Sequence, residues 1–594
     1  MRSDRLRRPA RLQHYFVGIA LSACVFAAPI LSIAHAAPAE ASRLYLLASS
    51  SSANKTSSAD WKGRLPITEL SEEEAITHAL DRLGYGPRPG EIERIKQMGL
   101  EKWITEQLHP ETIDDSQTER RLEQYPTLSL SPTVLENEYL RPNVAAKRMG
   151  VTEEEYNKRI QDLLHPPQGV RPAEDRRPQV IVSELQAAKL TRAIYSERQL
   201  QEQLDDFWFN HFNVYANKDQ EIYLVSSFDR NAIRPHEFGK FRGLLGATAH
   251  SPAMLVYLDN WLSADPNAAM RVKLATPEQK RAWKDLPGIG SKKGLNENYG
   301  RELMELHTLG VDGGYTQQDV IEVAKCFTGW TVRDPGTKPE FVFDPRLHFE
   351  ETKAVLGKKI KAGGERDGEQ VLDLLSVQKA TAHHISYELA EHFVADNPPP
   401  ALVARMAKTF EKTKGDLRET VSTMIYSPEF WSRSAYRAKI KTPFELVASA
   451  ARALGADVDT PAPLAGWVNT IGEPLYQCVP PTGYKDNAET WVNAGALMNR
   501  LKFALTLSGN HLRGSSVDLP SRLGDDVEAD PKAAMDRAVD TFLDGQISDS
   551  SRAAVQSGMA GPKALQAKIA NPAPRVDLGV VTGLVLGTPE FQRR

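Results

Sequence analysis

From Ser71 onward, apolar residues return every three or four positions through most of the chain, the spacing that places them on one face of an α-helix. The segments 181–215, 241–262, 295–310, 316–327, 369–394, 401–412, 416–426 and 488–508 all carry this period. The first helix is announced by Ser71-Glu72-Glu73-Glu74, a capping box in which hydroxyl and carboxylate satisfy reciprocal backbone N–H groups. Ile76, Ala79, Leu80 and Leu83 follow, and Gly84-Tyr85-Gly86-Pro87 ends the run. One stretch breaks the helical rule. Around 340–361, Phe341-Val342-Phe343 and Leu347-His348-Phe349 alternate and predict a small β-hairpin. Residues 126–180 and 263–294 are charged, proline-containing and weakly periodic, and read as insertions between core helices. The expected fold is therefore all-α: a large multi-helix array with one small hairpin near 340–361.

Ahead of the helices the pattern changes. Arg2, Arg5, Arg7, Arg8 and Arg11 precede an uncharged apolar stretch from Phe16 to Ala34, and Ala34-His35-Ala36 offers the small residues of a signal-peptidase site. Residues 1–36 are expected to be a cleavable signal peptide and 37–65 an Ala/Ser-rich tether, followed by a single large helical domain over 66–594. Leu21-Ser22-Ala23-Cys24 resembles a lipobox, but the apolar run continues past Cys24, which favours cleavage after Ala36. The expected location is periplasmic or extracellular, with no transmembrane anchor once the signal is removed. Cleavage leaves Cys326 and Cys478, and the apolar neighbours of Cys326 favour a buried free thiol over a bridge.

Composition narrows the partners. Across 594 residues, 41% are hydrophobic, 25% are charged, and the formal charge is −4. Such a chain can fill a core without metal or disulfide staples, and it lacks the basic field that attracts nucleic acid. Leu286-Pro287-Gly288-Ile289-Gly290 with Lys292-Lys293 imitates a phosphate-cradling hairpin, yet Glu297 stands where an apolar residue belongs. Nucleic-acid binding is not expected. Ser251-Pro252, Ser427-Pro428 and Thr588-Pro589 each follow an apolar helix and predict a new helix capped by the hydroxyl with Pro in its first turn, the last packing the C-terminal residues onto the core.

Candidate chemistry comes from polar residues on apolar faces. On the 295–309 helix, Leu295, Tyr299, Leu303, Leu306 and Leu309 form an apolar arc that contains Glu302, with Asn298 and Glu305 at its edge. On the 200–215 helix, His211 projects from the face made by Leu200, Leu204, Phe207 and Trp208, beside Asn210. Neither a carboxylate nor an imidazole stays buried without a partner, so His211 and Glu302 are expected to meet, with Asp259 and Asn260 as neighbours. Three uses are open: a structural polar network, a general acid–base site with His211 and Glu302 as catalytic residues, or a ligand or metal site. Metal-ligand spacing such as HExxH or CxxC is lacking, and adjacent His383-His384 face different ways, so no cofactor or metal is expected.

Three segments carry a resemblance: His78-Ala79-Leu80-Asp81-Arg82-Leu83-Gly84-Tyr85-Gly86-Pro87, Phe207-Trp208-Phe209-Asn210-His211-Phe212, and Asn296 to Val311 with its Glu302-Leu303-Met304-Glu305-Leu306-His307. Together with Gly313-Gly314-Tyr315-Thr316 and Phe327-Thr328-Gly329-Trp330, they resemble the bacterial family called domain of unknown function 1800 from about residue 70 to the end. The resemblance implies a large, exported, helix-rich unit and no known activity. The family pattern has His-Asp where this chain reads His348-Phe349, so a carboxylate is lost at 349. The functional expectation is an envelope interaction or scaffold protein whose partner is another envelope or secreted protein. The alternative is a hydrolase-like enzyme with a His/Glu polar site, which requires those groups to line an open pocket.

Overall fold

The computed structural model describes residues 64–165, 175–284, 286, 294–560 and 575–594. Helices dominate, and the element order is helical from Glu72 to Leu586 apart from three two-stranded pairs. The capping box operates: Ser71 Oγ accepts from the Glu74 N–H and the Glu74 carboxylate accepts from the Ser71 N–H, starting α1 (Glu72–Arg82). One apolar core runs without a break from Leu65 to Phe591. Smaller clusters hang from it, such as Ala145, Ala146 and Tyr156 in the 126–180 region, where short helices stand in place of the weak periodicity.

Four helices position the site. They are α2 (Gln179–Tyr195), α3 (Gln199–His211), α4 (Asn298–Glu305) and α6 (Lys379–Phe393), with α5 (Gln317–Cys326) packed on α4. The contact of α4 with α5 depends on Gly300, since a Cβ there would stand 3.0 Å from the Ala324 nitrogen and 3.1 Å from the Val320 oxygen. α4 is shorter than its periodicity predicts. The N–H groups of both Leu306 and His307 bond to the Glu302 carbonyl, and Leu309 N–H bonds to the Met304 carbonyl. This widening of the turn, closed by Gly310 at φ +81°, swings the His307 ring into the core, where it is 2% exposed.

Among the strands, β1 (Trp330–Arg333) pairs antiparallel with β2 (Glu340–Phe343), and β3 (Lys353–Val355) with β4 (Lys358–Ile360). Phe341-Val342-Phe343 thus pairs backward onto Trp330–Val332 rather than forward onto Leu347-His348-Phe349. A third, minimal pair joins Asp457–Val458 to Ser515–Ser516. Residues at the end of the chain are packed: Arg594 is 1% exposed, its guanidinium 2.5 Å from Glu445, and its backbone exchanges hydrogen bonds with Lys439. Of the three Ser/Thr-Pro segments, the first starts a short helix, Pro252–Tyr257, while in the second and third the hydroxyls tie turns. Cys326 and Cys478 are free, buried thiols. Residues 1–63 and 287–293, which carry the signal-peptide reading and most of the phosphate-cradle motif, lie outside the described residues. Among the described residues no helix is long and apolar enough to cross a membrane.

Candidate functional site

α3 and α6 run past each other with the segment 473–491, a loop ending in the short helix Ala488–Trp491, beside them, and together they line a cavity of about 420 Å3. The loop is fastened by Asn210. Its amide donates to the Tyr484 carbonyl (2.8 Å) and its oxygen accepts from the Tyr484 N–H (2.7 Å). Gly483, at φ +65°, lets the two backbones touch, because a Cβ there would be 2.3 Å from the Asn210 carbonyl oxygen. Asn213 completes the clamp by donating to the carbonyls of Cys478 and Pro480.

The histidine singled out by its position on α3 lies in this cavity wall. His211 Nδ1 is 2.7 Å from Glu388 Oε2, and its Nε2 faces the His307 carbonyl oxygen at 3.4 Å. On the other side of Glu388, His384 Nε2 lies 3.5 Å from Oε1 and 3.0 Å from the Leu306 carbonyl oxygen. Burial works against the Glu388 carboxylate, but the charge and hydrogen bond of His211, with His384 behind, outweigh it and hold this carboxyl below its ordinary value. Glu391 is one helical turn further along α6. Neither an ion pair nor a hydrogen bond holds its side chain among the described residues. Burial pushes it up to about 7 against the pull of Lys439, and Asp486, Glu388 and Asp396 add to the rise.

Further into the cavity the charges are paired. Lys189 from α2 is 2.7 Å from Asp206 and is surrounded by the Phe209, Phe444 and Tyr476 rings. His392 Nδ1 bonds to Asp486, which Lys439 also reaches at 3.1 Å. Glu473 has no cation of its own among the described residues. It accepts the Phe444 N–H at 2.7 Å, and burial with the nearby Asp206 pushes it up to about 8.

The expected meeting of His211 with Glu302 does not occur. Both ring nitrogens of His211 are turned elsewhere, and Glu302 is half-buried outside this cavity, with burial and the neighbouring Glu305 raising its carboxyl. α4 ends before its arc reaches α3, so it presents to His211 the His307 carbonyl and not a side-chain carboxylate. The other candidates scatter. Asp259 pairs with Lys218 at 3.1 Å, and Asn260 donates to the carbonyls of Phe327 and Trp330. Glu305 accepts from the Tyr315 hydroxyl at 3.1 Å, and Asn298 is exposed. Asn210 alone joins His211 at the cavity. Glu388, Glu391 and Asp486 were missed, since they lie 177 or more residues from α3. The available signal was on α6, where Glu388 follows His384 by one turn and Ile385, Leu389 and His392 are buried around it.

Phe349 brings no carboxylate to His348, which takes one from another element. His348 Nε2 is 3.0 Å from Asp367, which Lys353 also holds at 2.6 Å, while His348 Nδ1 bonds to the Thr328 carbonyl. All three side chains are at most 3% exposed, so this cluster joins the β3 hairpin to the helix at Arg366–Ser376 and offers nothing to a ligand. Among the described residues no group of three or more His, Cys, Asp or Glu is placed to hold a metal ion.

The model of the family described as a protein of unknown function (DUF1800) matches residues 78–593. The chain belongs to the DUF1800 family. The DUF1800 match runs from the second half of α1 through the cavity to the final packed turn, so both conspicuous segments of α3 and α4 fall inside it. Neither a curated protein nor a solved structure matches this DUF1800 chain. Much of what makes the DUF1800 segments conspicuous has a packing explanation here. His78 bonds to the Phe430 carbonyl at 2.8 Å, and Arg82 to the Ala435 carbonyl at 2.7 Å. Gly300 admits α5, and Arg301 bridges Glu297 and Gln317.

Proposed function

We propose that the chain is a hydrolase-like enzyme that uses general acid–base catalysis in the α3–α6 cavity. The observation that carries the reading is the pair Glu388 and Glu391. Two carboxyls one turn apart on the same helix line the same cavity, in environments that drive them in opposite directions. Such a split is how a site keeps one carboxyl charged and its neighbour protonated near neutral pH. In this reading Glu391 donates its proton to the leaving group. Glu388, 30% exposed, takes a proton from the attacking water. The elements of water are thereby added across the broken bond, and proton exchange with solvent restores both groups. His211 is a positioning residue that fixes Glu388 and balances its charge.

An interaction protein, the other expectation, requires no split carboxyl pair inside a cavity, which is why the enzyme reading is preferred. Its place of work is proposed to be outside the cytoplasm, after cleavage following Ala36, and N-terminal sequencing of the envelope or secreted protein should then begin at Ala37. The activity is tested with wild-type, Glu388→Gln and Glu391→Gln chains on a panel of ester, amide, glycoside and phosphodiester substrates. The reading expects wild-type turnover of one bond class and a loss of about 10²–10⁴-fold in each variant. Equal rates in all three chains would exclude it.

A further inference from the structure

We infer that the α3–α6 cavity accepts an uncharged, hydroxyl-rich chain, a neutral glycan, an inference that rests on the acid–base reading of the cavity. The argument starts from which charges already have partners. Each carboxylate there that must stay ionised has a partner within the protein: Asp206 has the Lys189 ammonium, Asp486 the Lys439 ammonium, and Glu388 a hydrogen bond with the His211 ring. The two carboxyls without a cation, Glu391 and Glu473, are those that burial drives toward the neutral form. A cationic ligand would find its best counter-charges taken, and an anionic one would meet carboxylates on three sides. Apart from Lys485, exposed at the rim, what remains is neutral hydrogen-bonding capacity beside aromatic surface.

That surface is at hand. Tyr484 is half-buried with Trp491 packed behind it, their ring centroids 5.7 Å apart. The Trp491 indole N–H and the Tyr476 hydroxyl, both on residues lining the cavity, are buried and have no hydrogen-bond partner among the described residues. Tyr476 is moreover held at φ +62°, a left-handed conformation that a tyrosine adopts only where its surroundings impose it. Apolar C–H faces against rings, with hydroxyls donating to carboxyls such as Glu391, are what a sugar chain presents. The cavity volume also falls within the range of small-molecule sites, about 300–1,000 Å3.

The test is a titration of the full-length chain, followed by tryptophan fluorescence. The probes are neutral oligomers of α-1,4-glucose, β-1,4-glucose and β-1,4-N-acetylglucosamine, with spermine as the cationic comparison. A saturable response to one oligomer is expected. Glu391→Gln, which keeps a neutral side chain of the same shape, should bind within about threefold of wild type. Tyr484→Ala should bind roughly tenfold more weakly, as the loss of one aromatic contact implies. Tyr484→Phe, which keeps the ring, should bind normally and shows that the effect is not misfolding. Saturation by spermine alone, no response to any oligomer, or a tenfold loss in Glu391→Gln would overturn the inference. The two readings fail separately. Binding without bond cleavage keeps the glycan and removes the enzyme. Cleavage of an ester or amide with no oligomer response keeps the enzyme and removes the glycan.

Discussion

Replacing His211 by Leu should destabilise the fold, and the loss should depend on whether Glu388 is present. The imidazole side chain is 3% exposed and the carboxylate 30%, with 2.7 Å between Nδ1 and Oε2. A hydrogen bond to a charged group contributes about 1.5–3 kcal/mol net. Stranding one member of a buried pair costs about 3–5 kcal/mol. Glu388 retains contact with solvent and with His384, so the cost falls at or below the bottom of that range. Each single change, His211→Leu or Glu388→Leu, should cost about 2–3 kcal/mol, and the two together should fall short of the sum by about 1–2 kcal/mol. Urea unfolding of the four chains at pH 7 measures this as a shift in midpoint at constant slope. A second cycle, His211→Leu with Glu302→Leu, is the internal control and should be additive to within about 0.5 kcal/mol. Coupling in the Glu302 cycle with additivity in the Glu388 cycle would refute the assignment of partners.

Gly300→Ala should destabilise by about 1–3 kcal/mol, because the new methyl group meets α5 backbone at 3.0 and 3.1 Å, and differential scanning calorimetry would show it. His78 is buried, and burial, with nearby Arg82, lowers it to about 3 against an unfolded value near 6.5. The unfolded chain therefore binds the extra proton between those values, and this group's contribution is complete above pH 6.5 and falls by about 1.4 kcal/mol per unit toward pH 3. The stability of wild type relative to His78→Gln should fall along that slope as pH is lowered, and parallel pH profiles would count against it. Glu391 has the opposite sign: its folded value is raised, so its cost is absent below pH 4.5 and grows as pH rises to about 7. Glu391→Gln should melt with wild type at pH 4.5 and above it at pH 8, and a lower melting temperature at pH 8 would contradict the assignment. Lys353→Met should cost about 3–5 kcal/mol by leaving the buried Asp367 without its cation, held only by His348 and the Gly363 N–H, and near-wild-type unfolding in urea would contradict that.

Helices and their starts were legible because both depend on local chemistry. Ser71 to Glu74 and Thr316 to Asp319 cap as their spacing requires. The oddity of His211 was legible for the same reason, as a polar residue on an apolar arc. Its partner was not, because a one-dimensional arc records that a group needs company and not which distant helix supplies it. Glu302 was the nearest carboxylate of matching character, and the widened turn at Leu306-His307, a feature without a periodic signature, withdrew α4 from His211. The hairpin near 340–361 is present at Lys353–Ile360, but the strand read from Phe341-Val342-Phe343 is not part of it. Phe341-Val342-Phe343 reads as a strand, but the choice of Trp330–Val332 as its partner depends on Trp330 packing against Gly368, far along the chain. The pairing of His348 with Asp367 belongs to the same class, a contact between residues 19 apart in sequence.

The division of the two α6 carboxyls is the central claim, and it can be measured without knowing the substrate. Infrared titration of the carboxylate band in the folded chain, with Glu388→Gln and Glu391→Gln as difference references, isolates each group. The account predicts that the Glu391 band titrates near pH 7, and that the Glu388 band is already ionised below the ordinary glutamate value. Both bands titrating together near pH 4.5 would contradict it.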